Sequence, residues 1–122
     1  MASFRPNERI KTRAQFQEIY QKGTRVHGRY STVFVFANRL AIGRLGIAAT
    51  KKLGGAGERN KAKRLIREVF RRNKVAAGFD VVVIPKRELL DTSLTTLEAD
   101  YRNTLERTLR RRRPAAGAPE SV

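Results

Sequence analysis

The residues best suited to chemistry lie between Lys51 and Lys74, and what they suit is the binding of phosphates. Lys51, Lys52, Arg59, Lys61, Lys63, Arg64, Arg67, Arg71, Arg72 and Lys74 are opposed there only by Glu58 and Glu68. The segment therefore holds 10 − 2 = 8 of the formal net charge of +16. A solvated helix face normally mixes signs, for solubility and for pairing between residues three and four apart. A stripe of nearly one sign instead suits a polyanion, whose counterions are released as Lys and Arg take their place.

Catalytic constellations are missing. His27 is the single histidine and there is no cysteine, so zinc sites built on Cys or on paired His, thiol catalysis and disulfide scaffolds are all excluded. His27 itself reads as a strand-edge or turn residue. Gly54-Gly55-Ala56-Gly57 lacks the Lys-Ser/Thr ending of a phosphate-cradling loop and reads as a hinge. Glu98 and Asp100 are two apart on an expected helix and do not face one another. A nuclease acting alone is not expected, and the sequence offers no metal-binding set of its own.

A second candidate constellation is aromatic. Phe16 and Tyr20 stand four apart near Arg13, and Phe34 and Phe36 alternate further on. Rings flanked by cations suit a sequence-tolerant site for single-stranded nucleic acid, because bases stack on rings while cations hold phosphates. The same spacing equally suits a core. On residues alone Phe16 and Tyr20 stand between the two readings, Phe36 is core and Phe34 stays open.

Elements must position these groups. Thr12-Arg13-Ala14-Gln15 reads as a capping box for a helix over Arg13 to Lys22, with Phe16, Ile19 and Tyr20 on one side and Gly23 as its stop. From Thr24 to Thr50 the period changes to two: a short strand at Thr24–His27, a strand with Tyr30, Thr32, Phe34 and Phe36 on one face, and a third over Arg44 to Thr50. A helix is expected over Glu58 to Lys74. At about 100° per residue its face of Ala62, Leu65, Ile66, Val69 and Phe70 is apolar, and Asn60, Lys63, Arg64, Arg67 and Arg71 gather opposite. Phe79 to Ile84, closed by Pro85, suits a central strand. The last helix starts between Ser93 and Thr95, with Thr95 and Glu98 as a second capping box. Its buried stripe is Leu94, Leu97, Tyr101, Leu105 and Leu109, and Arg110 to Arg113 end it.

The order is α-β-β-β-α-β-α, one α+β domain over residues 1–113 with helices packed on a sheet. Residues 114–122 read as a disordered tail. No apolar run approaches the roughly 20 residues needed to span a bilayer, and the amino terminus lacks the apolar segment of a secretory signal, so a cytoplasmic location is expected. With 27 Lys and Arg against 11 Asp and Glu, and a sequence pI near 11.5, a nucleic-acid partner is favoured over a membrane surface.

Glu58-Arg59-Asn60-Lys61-Ala62-Lys63-Arg64-Leu65-Ile66-Arg67-Glu68 resembles the central motif of the bacterial ribonuclease P protein family. That motif runs approximately Arg-Asn-Arg-x-x-Arg/Lys-Arg-x-x-Arg. Thr50-Lys51-Lys52-Leu53-Gly54 before it, Phe79 to Ile84 after it, and the two aromatics four apart followed by Gly23 are similar to the family's flanking patterns. Together they cover about Ile10 to Leu109. Lys61 departs from the family's usual arginine, keeping the charge but losing the bidentate fork.

The resemblance implies a mixed four-stranded sheet with a left-handed β-α-β crossover carrying the basic helix. It implies a protein subunit that binds a catalytic RNA and the single-stranded 5′ leader of precursor tRNA, in an assembly that hydrolyses the phosphodiester at the mature tRNA 5′ end. Magnesium held mainly by the RNA would serve the chemistry. Carried onto this sequence, the RNA-binding set is Arg59, Asn60, Lys61, Lys63, Arg64, Arg67 and Arg71. The leader cleft is Arg13, Phe16, Tyr20, Phe34, Lys51 and Lys52. The rival reading is a small ribosomal or other structural RNA-binding protein. A DNA-binding helix is disfavoured, because strands stand where its partner helix would be needed.

Overall fold

The computed structural model describes residues 6–120, with side chains for residues 7–110. The first helix, α1, spans Arg13–Lys22 and has the expected cap: Gln15 N donates to Thr12 Oγ1 at 3.2 Å, and Thr12 N donates to Gln15 Oε1 at 3.2 Å. Gly23 ends it by close approach, since a Cβ there would lie 2.6 Å from the Ile19 carbonyl oxygen. Strands β1 (Thr24–His27), β2 (Ser31–Ala37) and β3 (Arg44–Ile47) follow, then α2 (Ala56–Arg72), β4 (Phe79–Pro85) and α3 (Leu94–Glu120).

The sheet order is β1-β2-β4-β3. β1 pairs antiparallel with β2 and β2 with β4, whereas β3 runs parallel to β4 with α2 as the crossover. The sheet is therefore mixed, in an α+β fold. Its central strands are covered on both faces, which is why Phe79 to Ile84 reads as a continuous apolar run rather than an alternation. Val33, Val35, Leu45, Val81 and Val83 pack with α2 and α3 residues in the larger core. Phe34 and Val82, on the opposite face, pack with Ile10 and Ile19 of the α1 side.

The structure corrects several sequence expectations. Tyr30 precedes β2 and packs with the larger core, not on the face of Phe34. β3 stops at Ile47, and the chain then tightens into a 3-10 turn at Lys51–Leu53. α2 starts at Ala56, with Gly55 as its cap, and ends at Arg72 because the Asn73 side chain donates to the Val69 carbonyl at 2.8 Å. Ser93, rather than Thr95, caps α3: its hydroxyl accepts from Thr96 N at 3.1 Å.

The buried stripe of α3 also differs from the expected one. Leu97 and Tyr101 are buried as expected, but Leu109 is exposed and Thr104 and Thr108 are fully covered in its place. The cause is Gly28, where a Cβ would sit 2.3 Å from Thr104 Oγ1. Helix and hairpin meet there too closely for leucine. The helical backbone runs past Arg113 to Glu120. The proposed tail, residues 114–122, lies outside the described side chains, and its last two residues lie outside the described chain.

Candidate nucleic-acid interface

α2 is amphipathic because its apolar residues recur every three to four positions: Ala62, Ile66, Val69 and Phe70 are buried. This fixes the opposite side outward, and Asn60, Arg64 and Arg71 are exposed there. Lys63 and Arg67, one turn apart, are half-buried and line a hollow of about 120 Å³ with Arg9, Ile10, Leu45 and Ile47. Arg67 Nε is buried there without a hydrogen-bond partner among the described residues. The hollow exists because Arg9 bridges to Leu45 at the β3 edge, and Ile10 N donates to the Leu45 carbonyl at 2.9 Å. Arg9 thus joins the basic face from outside the motif. Sequence reasoning missed it, since no local spacing connects residue 9 to residue 67.

Two members of the sequence-derived set are placed differently. Arg59 leans back, its Nη1 donating to the Gly54 carbonyl at 3.4 Å. Lys61 lies on another side of α2, where its ammonium donates to the Leu90 carbonyl at 3.0 Å. There it lines an open hollow of about 810 Å³ with Glu58, Arg87, Glu88 and Asp91. Glu68 is held by Arg71 at 3.4 Å and Arg72 at 3.6 Å, so it offsets only one border of the stripe.

The aromatic constellation sits on the other face of the sheet. Phe16 and Tyr20 have ring centroids 6.2 Å apart, and Tyr20 and Phe34 5.1 Å apart. Gly46 in β3 makes room for the Phe16 ring, since a Cβ there would come within 2.9 Å of it. Tyr20, Gly23, Arg25, Phe34 and Ile84 line a hollow of about 530 Å³. Tyr20 is 38% exposed and Phe34 only 6%. Phe34 is therefore a core residue whose edge floors the hollow. Partial burial raises the Tyr20 phenol above its ordinary pKa, so its hydroxyl stays protonated at neutral pH.

Arg25 and Ile84 are additions that the sequence did not reveal. They enter through register, because Arg25 pairs with Phe34 across β1–β2, and Ile84 pairs with Thr32. Arg13 is exposed in the first turn of α1. Lys51 and Lys52 are exposed on the 3-10 turn beyond β3 and do not line this hollow. His27 ends β1 at the sheet edge, its Nδ1 2.9 Å from Thr32 Oγ1.

The strand framework is pinned by a buried ion pair that the sequence concealed. Asp80 is 2% exposed and accepts from Arg44 Nε at 2.8 Å, Arg44 Nη2 at 2.7 Å and Asn38 Nδ2 at 2.7 Å. The hydrogen bond to Asp80 raises the Arg44 pKa further. Among the described residues no three His, Asp or Glu side chains gather where they could hold a metal ion. No described helix is long and apolar enough to cross a membrane.

Comparison with known proteins bears on the family and the fold. A family model described as Ribonuclease P matches residues 4–109. The ribonuclease P protein component of Thermotoga maritima is 44% identical over 89 residues, covering 71% of this chain and 76% of that protein. The component from Clostridium kluyveri is 33% identical over 103 residues, covering 81% and 92%. Among solved structures, the Thermotoga maritima RNase P protein superposes with a TM-score of 0.74 at 38% identity, over 82% of this chain and 96% of that one. The Staphylococcus aureus RNase P protein gives 0.72 at 37% identity, over 81% and 93%.

Proposed function

The chain belongs to the ribonuclease P protein family and is thus a subunit of the ribonucleoprotein that processes tRNA 5′ ends; we propose that it serves two RNAs through two separate surfaces. The alternative of a ribosomal or other structural RNA-binding protein falls with that membership. The outward side of α2 binds the catalytic RNA through Asn60, Lys63, Arg64, Arg67 and Arg71, with Arg59 at its border. The observation that carries this reading is the one-sign stripe that α2 holds outward on a fully apolar base. Lys61 serves the same interface from the side, beside the turn at Leu90.

The aromatic hollow takes the single-stranded 5′ leader of precursor tRNA. Tyr20 offers a ring face to unpaired bases with Phe16 beside it on α1, Phe34 forms the floor, Arg25 at the hollow holds backbone phosphate, and Arg13, Lys51 and Lys52 hold phosphates further along the leader, outside the hollow. Stacking accepts any base because every base has a π-face, which fits a substrate whose leader sequence varies.

Ribonuclease P is in general magnesium-dependent, and the catalytic RNA is proposed to hold that magnesium and carry out the hydrolysis. Among the described residues no three carboxylates gather where they could hold the ion, and Asp80 is spent on Arg44 and Asn38, and Glu98 on Asn73, Arg72 and Arg102. The part played by this chain is to bind and orient. A cytoplasmic location follows from the substrate.

The test is reconstitution at low magnesium. Adding the protein to the catalytic RNA should restore 5′ cleavage of precursor tRNA, and RNA-free protein should leave the substrate intact. Specific cleavage by protein alone would overturn the division of labour. Arg59→Ala with Arg64→Ala should flatten the salt dependence of assembly by roughly one unit of slope per lost phosphate contact. An unchanged slope would remove α2 from the interface.

A further inference from the structure

We propose that the carboxyl-terminal part of α3, together with the turn between β1 and β2, forms a second RNA-phosphate surface at the sheet edge away from α2. Residues 103–113 hold five arginines and one glutamate, a local excess of 5 − 1 = 4, and no carboxylate falls between Arg107 and Arg113. This is the densest basic stretch outside α2, and neither surface described above uses it.

Tertiary structure brings further cations to it. Arg107 Nη2 donates to the His27 carbonyl at 3.4 Å, and Lys86 Nζ donates to the Gly28 carbonyl at 2.6 Å. The Arg29 guanidinium lies 5.5 Å from the centroid of the Tyr30 ring. Three cations from three elements thus converge on one short turn, with Arg110 exposed one helical turn beyond Arg107. Two carboxylates face the same region. Asp100 is engaged by the Tyr30 backbone amide at 3.3 Å, and Glu106 pairs with Arg110 at 3.3 Å on the exposed side. Neither removes the excess.

The surface is also rigid. Thr104 and Thr108 are fully buried against the hairpin, and Gly28 permits the close approach. The turn and the helix therefore present their charges in a fixed relation, which lowers the entropic cost of binding an extended ligand.

It is not a continuation of the α2 stripe. Glu98 stands between the two helices, paired with Arg72 at 3.6 Å and Arg102 at 3.4 Å and accepting from Asn73 at 2.7 Å. A membrane surface is a poor fit, because the apolar face of α3 is consumed by the sheet and Leu109 is the one large apolar side chain it exposes among the described residues. A stretch of RNA backbone fits, from either the catalytic RNA or the precursor tRNA. Both present the same phosphates.

The experiment uses full-length Arg29→Gln/Arg107→Gln/Arg110→Gln, and Lys11→Gln/Lys22→Gln/Arg39→Gln as a charge-matched control at other exposed positions. Arg64→Ala is run in parallel, and thermal unfolding verifies that each variant folds. The salt slope of binding to the catalytic RNA is measured, followed by the affinity of the assembled enzyme for precursor tRNA.

The proposal expects the first triple variant to lower that slope by roughly 2–3 units, or to weaken precursor tRNA selectively, and the control to do neither. A slope change assigns the catalytic RNA, and a selective loss of substrate affinity assigns the precursor tRNA. Arg107→Lys in place of Arg107→Gln in that triple background returns one of the three charges and should restore roughly one unit of slope. If both readouts stay unchanged while Arg64→Ala lowers the slope, this surface is refuted and the α2 interface stands. An equal effect of the control also refutes it, because net charge alone would then explain the loss.

Discussion

Replacing Tyr20 by alanine separates a binding ring from a core ring. A fully buried aromatic truncated to alanine costs about 3–5 kcal/mol of stability. Tyr20 is 38% exposed, so roughly three-fifths of that, about 2–3 kcal/mol, is expected here. If the ring also stacks on an unpaired leader base, the change removes a further interaction of about 1–3 kcal/mol, present only in the substrate complex. That corresponds to a loss of about 5- to 150-fold in affinity. The assay pairs unfolding of the free protein with affinity of the assembled enzyme for precursor tRNA, with and without its leader. Tyr20→Ala should lower affinity for the leader-bearing substrate and leave the leaderless one unchanged. Tyr20→Phe keeps the ring and should keep most of that affinity. Phe34→Ala, at a position only 6% exposed, should instead cost about 3–5 kcal/mol of stability. A stability loss at Tyr20 as large as at Phe34, with no leader-dependent change, would show that the α1 aromatics are core and that the leader binds elsewhere.

Three further outcomes test the scaffold. Asp80→Ala should destabilise by about 3–5 kcal/mol in urea unfolding, because it strands the half-buried Arg44, and Arg44→Met with Asp80→Val should recover most of that loss; a single-variant cost below about 1 kcal/mol would contradict the ion pair's role. The Tyr101 hydroxyl is buried without a hydrogen-bond partner among the described residues, so Tyr101→Phe should be neutral or stabilise by up to about 1–3 kcal/mol, and a lowered melting temperature would count against this. The hydrogen bond from Asn73, followed by the charges of Arg102 and Arg72, holds Glu98 below its ordinary value of 4.5. Its contribution is therefore complete above the ordinary carboxylate range and is lost as pH falls through the lower folded value, so the stability difference between wild type and Glu98→Gln should shrink on acidification, and a pH-independent difference would refute the linkage.

Local sequence determined the elements and the chemistry they carry. The capping box at Thr12–Gln15, the apolar period of α2 and the unbroken run of β4 are short-range signals, and each formed as read. The basic stripe was legible for the same reason, since residues three and four apart on a helix share a side whatever surrounds them. Register and close approach were not legible. Arg25 reaches the aromatic hollow through the register of the β1–β2 hairpin, whereas Ile84 reaches it, and Arg9 reaches Arg67, through pairings between segments distant in the chain. Lys61 has the motif's spacing, yet it leans to the Leu90 carbonyl because the turn after β4 packs beside α2. The stripe of α3 kept Leu105 at the core but exposed Leu109 and buried Thr104 and Thr108, because Gly28 of the hairpin admits only small side chains at that contact. Periodicity says which residues can share a face of a helix or strand. Only packing against the rest of the chain decides which of those faces is buried, and at what distance.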